Sequence, residues 1–178
     1  MRKLTYEEIF SKRPTLKELQ KLERLPIYVL AENIRSMHNV GSIFRSGDGA
    51  RITKLFLTGF TPVPPRREID KTALGATESV PWEYSKNPLP VLKALKEQGV
   101  KIAAVEHTNT SVNYAQVEYS FPVCLLVGNE VEGLSQEVVK EADFAVELPM
   151  LGIKQSLNVS VAFGIVLYHV LQQYLRIK

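Results

Sequence analysis

The sequence predicts an α/β fold, a mostly parallel sheet flanked by helices on both faces. Three observations lead there. Short apolar runs of four to seven residues alternate with longer helical stretches, which is the rhythm of βαβ units. Such sheets have both faces covered, and the runs at 27–31 and 123–127 are apolar throughout. The run from Glu147 to Ser160 (Glu147-Leu148-Pro149-Met150-Leu151-Gly152-Ile153-Lys154-Gln155-Ser156-Leu157-Asn158-Val159-Ser160) reads as a strand, a tight polar loop and a helix beginning at or near Asn158. Polar loops also follow strands near Asn39 and Gly128. Ligands of parallel sheets bind beyond the carboxyl ends of the strands, so these three loops are expected to meet at one edge.

The elements follow in order. Thr15 and Glu18 have capping-box spacing, and Leu16, Leu19 and Leu22 recur on one face, predicting a helix that ends before Pro26. Residues 27–31 form a strand, 33–39 a polar turn, and 40–50 a helix. A strand at 54–58 precedes the Pro-rich basic segment 61–67, which reads as a surface loop because proline breaks both regular structures. A helix at 90–98 is closed by Gly99, then come strands at 102–105 and 121–127. A helix at 134–142, a strand at 144–148 and a final helix at 158–175 complete the chain; that last helix spans roughly 27 Å.

With 178 residues, 45% apolar and 23% charged, residues 1–178 read as one domain with no repeat or linker. No apolar run approaches the ~20 residues a membrane span needs, and no signal-peptide core opens the chain. Cys124 lies in an apolar strand and reads as a buried core residue. A single cysteine allows no internal disulfide, which suits a cytoplasmic setting. Residues 1–25 hold seven basic side chains against four acidic ones and so carry the whole net charge of +3. This basic N-terminal helical extension on a neutral body suits a polyanion such as RNA. It equally suits a solvated helical face.

Three segments bear polar chemistry. Asn39 and Arg45 bracket Gly41, and Arg45 offers a planar fork of donors suited to phosphate. Glu130 lies between Gly128 and Gly133 at a strand-to-helix turn; the spacing fits neither the P-loop nor the dinucleotide fingerprint. Ser156 and Asn158 tip the last loop, and either can serve simply as a helix cap. His38, His107 and His169 lack metal-ligand spacing, so no metal is expected.

Taken together, Asn39-x-Gly41-x-Ile43-x-Arg45, Leu126-Val127-Gly128-Asn129-Glu130-x-x-Gly133-Leu134 and Leu148-Pro149-Met150-x-Gly152-x-x-x-Ser156-Leu157-Asn158-Val159-Ser160 resemble the three motifs of the SpoU/TrmH family of RNA 2′-O-ribose methyltransferases, within the SPOUT superfamily. The stretch from Lys71 to Glu78 is also similar to a family segment, and the likeness covers about residues 27–175. It implies a C-terminal deep trefoil knot, which no argument from sequence physics would propose because knots are nearly absent from proteins. It implies S-adenosyl-L-methionine as cofactor, contacted by Gly128, Leu148, Met150 and Leu157, with Glu106 a further candidate. It implies methyl transfer to a ribose 2′-hydroxyl, with Arg45 at the centre and Asn39, Glu130, Ser156 and Asn158 orienting it and the ribose. It also implies a homodimer, consistent with a final helix apolar over most of its circumference. No membrane partner is expected.

The substrate expected is tRNA, since many ribosomal members carry an N-terminal RNA-binding domain for which 25 residues are too few. Arg66, Arg67, Arg13 and Lys17 are the candidate RNA-backbone contacts. The alternatives are an rRNA 2′-O-methyltransferase, a base-methylating superfamily member, or a non-catalytic RNA-binding module. Retention of Arg45 and Asn158 disfavours the last.

Overall fold

A computed structural model describes residues 1–177. Seven strands form one sheet: β1 (Leu25–Glu32), β2 (Ile52–Thr58), β3 (Trp82–Ser85), β4 (Lys101–Val105), β5 (Val112–Asn113), β6 (Val123–Val127) and β7 (Phe144–Glu147). Their order is β3-β2-β1-β6-β4-β7-β5, and every neighbouring pair is parallel. All carboxyl ends therefore share one edge. The chain winds outward from β1 through β2 to β3, then builds the other half with β6 beside β1. That reversal between β1 and β6 is where an open parallel sheet leaves a crevice at its carboxyl edge.

The alternation of side chains along the strands explains why the central runs are apolar at every position. Val29, Leu125 and Val127 face one layer, where they pack with Phe44, Phe163 and Val166. Leu30, Cys124 and Leu126 face the other, with Leu92, Leu95 and Val138. The first layer consists of α3 (Met37–Gly49), α4 (Arg67–Ala73), α5 (Ala76–Ser79) and α8 (Val159–Ile177). The second consists of α6 (Pro88–Glu97) and α7 (Gln136–Lys140). Each fully buried aliphatic side chain contributes about 1.5–3 kcal/mol, so both faces of β6 anchor the sheet. Cys124 is wholly buried, and burial pushes its thiol far above the ordinary range, as a core residue requires.

The structure departs from the sequence expectations in several places. The helix expected to run from Thr15 toward Pro26 is one turn only, α2 (Leu16–Leu19), although Thr15 and Glu18 do form the capping box. An earlier helix, α1 (Tyr6–Phe10), carries a second capping box of Thr5 and Glu8. Neither helix buries a residue, and a helix without a packed face does not propagate far. Asn39, expected in the polar turn, instead lies in the first turn of α3, which starts at Met37 on the Ser36 cap, three residues before the expected start. The helix expected at 40–50 is present and only begins earlier; Gly41 is there because α4 crosses so closely that a Cβ would strike the Ile69 carbonyl. Strands β3 and β5 and helices α4 and α5 were not anticipated, being short and without clear periodicity.

Candidate active site

Three turns at the carboxyl edge are stitched together by one polar network. The turn from β1 to α3 presents the backbone N–H groups of Arg35 and Ser36, which donate to the Glu130 carboxylate at 2.9 and 3.0 Å. Asn39, in the first turn of α3, adds its Nδ2 at 2.7 Å. Asn39 Oδ1 in turn accepts from Asn158 Nδ2 at 3.0 Å and from Ser160 Oγ at 3.4 Å. Asn158 thus works at both ends of its amide. Its Oδ1 caps α8 by accepting the N–H of Ser160 at 2.9 Å, while its Nδ2 reaches Asn39. Partial burial alone would raise the Glu130 pKa. The donors from Arg35, Asn39 and Ser36 outweigh it and hold the carboxyl below its usual range.

The turn that carries Glu130 is rigid for its own reasons. Asn129 and Gly133 exchange backbone hydrogen bonds at 3.0 and 2.9 Å, and buried Asn129 donates through Nδ2 to the Asn33 carbonyl while its Oδ1 accepts from Val131 and Glu132. Gly128 fits only because it lacks a side chain: a Cβ there would lie 2.3 Å from the Gly133 carbonyl carbon and the Leu134 nitrogen. Gly133, at φ +70°, folds the turn back so that Leu134 N–H meets the Glu106 carboxylate at 2.8 Å. Glu32, nearly fully buried, holds the start of α7 by accepting from both the N–H and the hydroxyl of Ser135.

Beyond this network lies a cavity of about 210 Å³ between β4, β6, β7 and the start of α8. Its apolar wall includes Val127, Val146, Leu148, Met150 and Leu157, and the carboxylates of Glu106, Glu130 and Glu147 line it. Among the described residues no lysine or arginine does. Glu147 accepts from the Ser111 hydroxyl and stands 3.3 Å from His107 Nδ1; the Ser111 bond foremost, then His107, hold its carboxyl below the ordinary value.

All five residues expected at a cofactor, Glu106, Gly128, Leu148, Met150 and Leu157, line this cavity, as do Glu130, Ser156 and Asn158. Asn39 joins them through its hydrogen bonds. Arg45 does not line the cavity; it is exposed on α3, and its guanidinium bonds none of Asn39, Glu130, Ser156 or Asn158. Arg66, Arg67, Arg13 and Lys17 are exposed. Sequence reasoning missed Asn129, Glu32 and the pairing of His107 with Glu147. The available signal was position, since Glu32, Glu147 and Asn129 all stand at or just past the end of a strand.

Comparison with known proteins places this geometry. The SpoU rRNA Methylase family matches residues 26–168, and the chain belongs to that family. It is 35% identical over 159 residues to a tRNA (guanosine(18)-2′-O)-methyltransferase of Aquifex aeolicus (strain VF5), covering 89% of this chain and 74% of the relative. The crystal structure of the A. aeolicus TrmH/SpoU tRNA modifying enzyme superposes with a TM-score of 0.81 at 34% identity, over 90% of this chain and 83% of that one. An AdoMet-bound rRNA methyltransferase from Sinorhizobium meliloti superposes at 0.78 with 30% identity, over 86% of this chain and 59% of that one. Other curated relatives are longer, and the chain spans 62–63% of their length.

Proposed function

We propose that this chain transfers the methyl group of S-adenosylmethionine to a ribose 2′-hydroxyl of RNA, with tRNA the first substrate and rRNA the alternative. The observation that carries the reading is the cavity at the carboxyl edge of the sheet, closed on one side by the network of Glu130, Asn39 and Asn158. Its lining fits the cofactor. An apolar wall suits an adenine, and three carboxylates without an opposing lysine or arginine suit a ligand bearing a sulfonium and an ammonium. Gly128 and Gly133, both in the lining, keep the backbone of this wall free of side chains. When bound, the cofactor supplies an activated methyl group that needs no metal.

The chain's own residues do the rest. Glu130 fixes the turn from β1 to α3 by holding two backbone N–H groups and Asn39, so the start of α3 is set before RNA arrives. Ser156 stands on the cavity rim, placed to meet the ribose. Arg45, without a hydrogen-bond or ion-pair partner among the described residues, is available to pair with the substrate phosphate and with oxygen charge developing at the 2′ position. Its pKa above about 12 makes it a stabiliser of that charge more readily than a base that removes the proton. Leu148, Met150 and Leu157 exclude water from the donor side.

Residues 1–178 act in this reading as one methyltransferase domain, with 1–25 as a basic extension toward RNA. A C-terminal trefoil knot agrees with β6 lying between β1 and β4 and with α8 returning across the sheet to pack on α3. A homodimer agrees with the apolar stripe of Val161, Ile165, Tyr168 and Leu175, which α8 leaves exposed. The A. aeolicus relative favours tRNA, and the S. meliloti structure keeps rRNA as the second substrate.

The test is methyl transfer from labelled cofactor to total tRNA and, separately, to rRNA, followed by nuclease digestion and mass spectrometry of the modified nucleotide. Label on a 2′-O-methyl nucleoside is the expected result; label on a base, or none in either RNA, overturns the reading. Arg45→Ala should lower the rate about 10²- to 10³-fold with the cofactor Kd unchanged. Undiminished transfer would remove Arg45 from its role.

A further inference from the structure

The carboxyl edge bears a second feature, on the opposite side of β1 from the cavity. At the end of β2 the turn through Gly59 presents Phe60 to solvent with 61% of its surface exposed, and it belongs to neither core cluster. A large apolar side chain held out in water is ordinarily a mobile one, yet every backbone neighbour here is pinned. Asn33, itself at φ +53°, accepts the Phe60 N–H through Oδ1 at 3.1 Å. Gly59 lies so near that same side chain that a Cβ would collide with it. Buried Thr61 donates its hydroxyl to the Thr58 carbonyl at 2.7 Å and accepts the Ile34 N–H at 3.0 Å. Tyr84, at the end of β3 and 46% exposed, donates its hydroxyl to the Gly59 carbonyl at 2.7 Å. The fold holds a rigid frame around an exposed ring.

That frame is joined directly to the active site. Asn33 and Ile34 fix the Phe60 turn, and the next two residues, Arg35 and Ser36, donate to Glu130. Two residues of chain span at most about 7 Å, so the backbone that holds Phe60 and the backbone that holds Glu130 are neighbouring parts of one turn. Six and seven residues downstream of Phe60, Arg66 and Arg67 are exposed at the amino end of α4 and have no ion-pair partner among the described residues. Glu68 and Asp70 follow on that helix, with Lys71 in its last turn.

We infer that Phe60 is a stacking platform for a base neighbouring the methylated ribose, with Arg66 and Arg67 holding the phosphates of that strand. This rests on the RNA reading given above and adds to it a demand on the substrate: the target must offer an unpaired neighbouring base. An aromatic face beside guanidinium groups is the arrangement that binds single-stranded RNA, because every base has a π-face and every linkage a charge. The site is sequence-tolerant by construction, so it selects loops over duplexes rather than one base over another.

The experiment compares the full-length parent with Phe60→Ala, Phe60→Leu and Phe60→Trp, using total tRNA and dextran sulfate, a polyanion without bases, as probes. Phe60→Ala and Phe60→Leu should weaken tRNA binding roughly 5- to 100-fold. They should leave dextran sulfate affinity and cofactor Kd unchanged. Phe60→Trp should keep tRNA affinity, and its indole fluorescence should quench on adding tRNA beyond the signal of Trp82 in the parent. Arg66→Ala with Arg67→Ala should weaken both probes. Leucine restoring parental tRNA affinity, or equal loss of both probes in Phe60→Ala, overturns the inference. So does a change from dimer to monomer in Phe60→Ala by light scattering, which would assign the ring to a second copy of the chain. If the parent methylates RNA while Phe60→Ala binds it normally, only this inference fails; if the parent binds and methylates no RNA, both fail.

Discussion

The rim of the cavity and the N-terminal arm are both built of capped turns and short polar side chains, yet they are different kinds of structure. In the arm, Thr5 pairs with Glu8 and Thr15 with Glu18, each three residues apart, and no residue of either helix is buried. At the rim, Asn39 pairs with Glu130 across 91 residues of sequence and with Asn158 across 119. The same capping chemistry forms a local device in one place and a cross-link between distant elements in the other. The arm's hydrogen bonds compete with water at every moment, whereas those at the rim sit against a packed core, where an unpaired polar group is costly.

The largest effect that could sharpen this contrast comes at Gly128. With a Cβ forced 2.3 Å from the Gly133 backbone, Gly128→Ala should cost about 3 kcal/mol or more. That should lower the melting temperature by roughly 6–12 °C and abolish cofactor binding in calorimetry; a stable variant with intact binding would mean that the turn is not rigid. Next come Asn39→Ala and Asn158→Ala, each expected to destabilise by about 1–3 kcal/mol. Their double mutant should fall short of the sum by at least about 0.5 kcal/mol. Strict additivity in denaturant unfolding would show that the two side chains do not act as one unit.

A smaller effect is the dependence of stability on acid. The carboxyl of Glu130 is held below its ordinary pKa of 4.5 in the folded state, so its contribution is present above that value and disappears as pH falls through the folded pKa. Melting curves between pH 6 and 3 should therefore show a shallower acid decline for Glu130→Gln than for the parent. Identical slopes would break the assignment. The smallest effect is expected in the arm, where Thr15→Ala should change global stability by no more than about 0.5 kcal/mol. A larger shift would show that the arm packs against something in solution and would erase the contrast.

Much of this architecture could be read in the chain, and the reasons differ by element. Strand β6 was legible because both its faces are buried and all five of its residues are apolar. The capping box of Thr15 and Glu18 was legible because it acts over three residues, but the length of α2 was not, since length depends on a packed face that the sequence does not display. Helix α3 was legible except at its start, where Asn39 looks like a turn residue until Glu130 is seen to require it. The five expected cofactor residues were placed through resemblance and all line one cavity, whereas Glu32 carried no motif and the part that Asn129 plays in holding its turn was not legible from the motif that contains it.

By itself, the sequence determined the layers, the polarity of the edges and the family, because burial pattern and motif order are local properties of the chain. Tertiary structure alone decided that Asn158 caps α8 with one end of its amide and holds Asn39 with the other. It decided that Gly128 is required by the chain's own backbone, and that exposed Phe60 has its N–H held by Asn33. Each of these depends on which distant groups come within hydrogen-bond or van der Waals reach, and that is fixed only when the whole sheet closes.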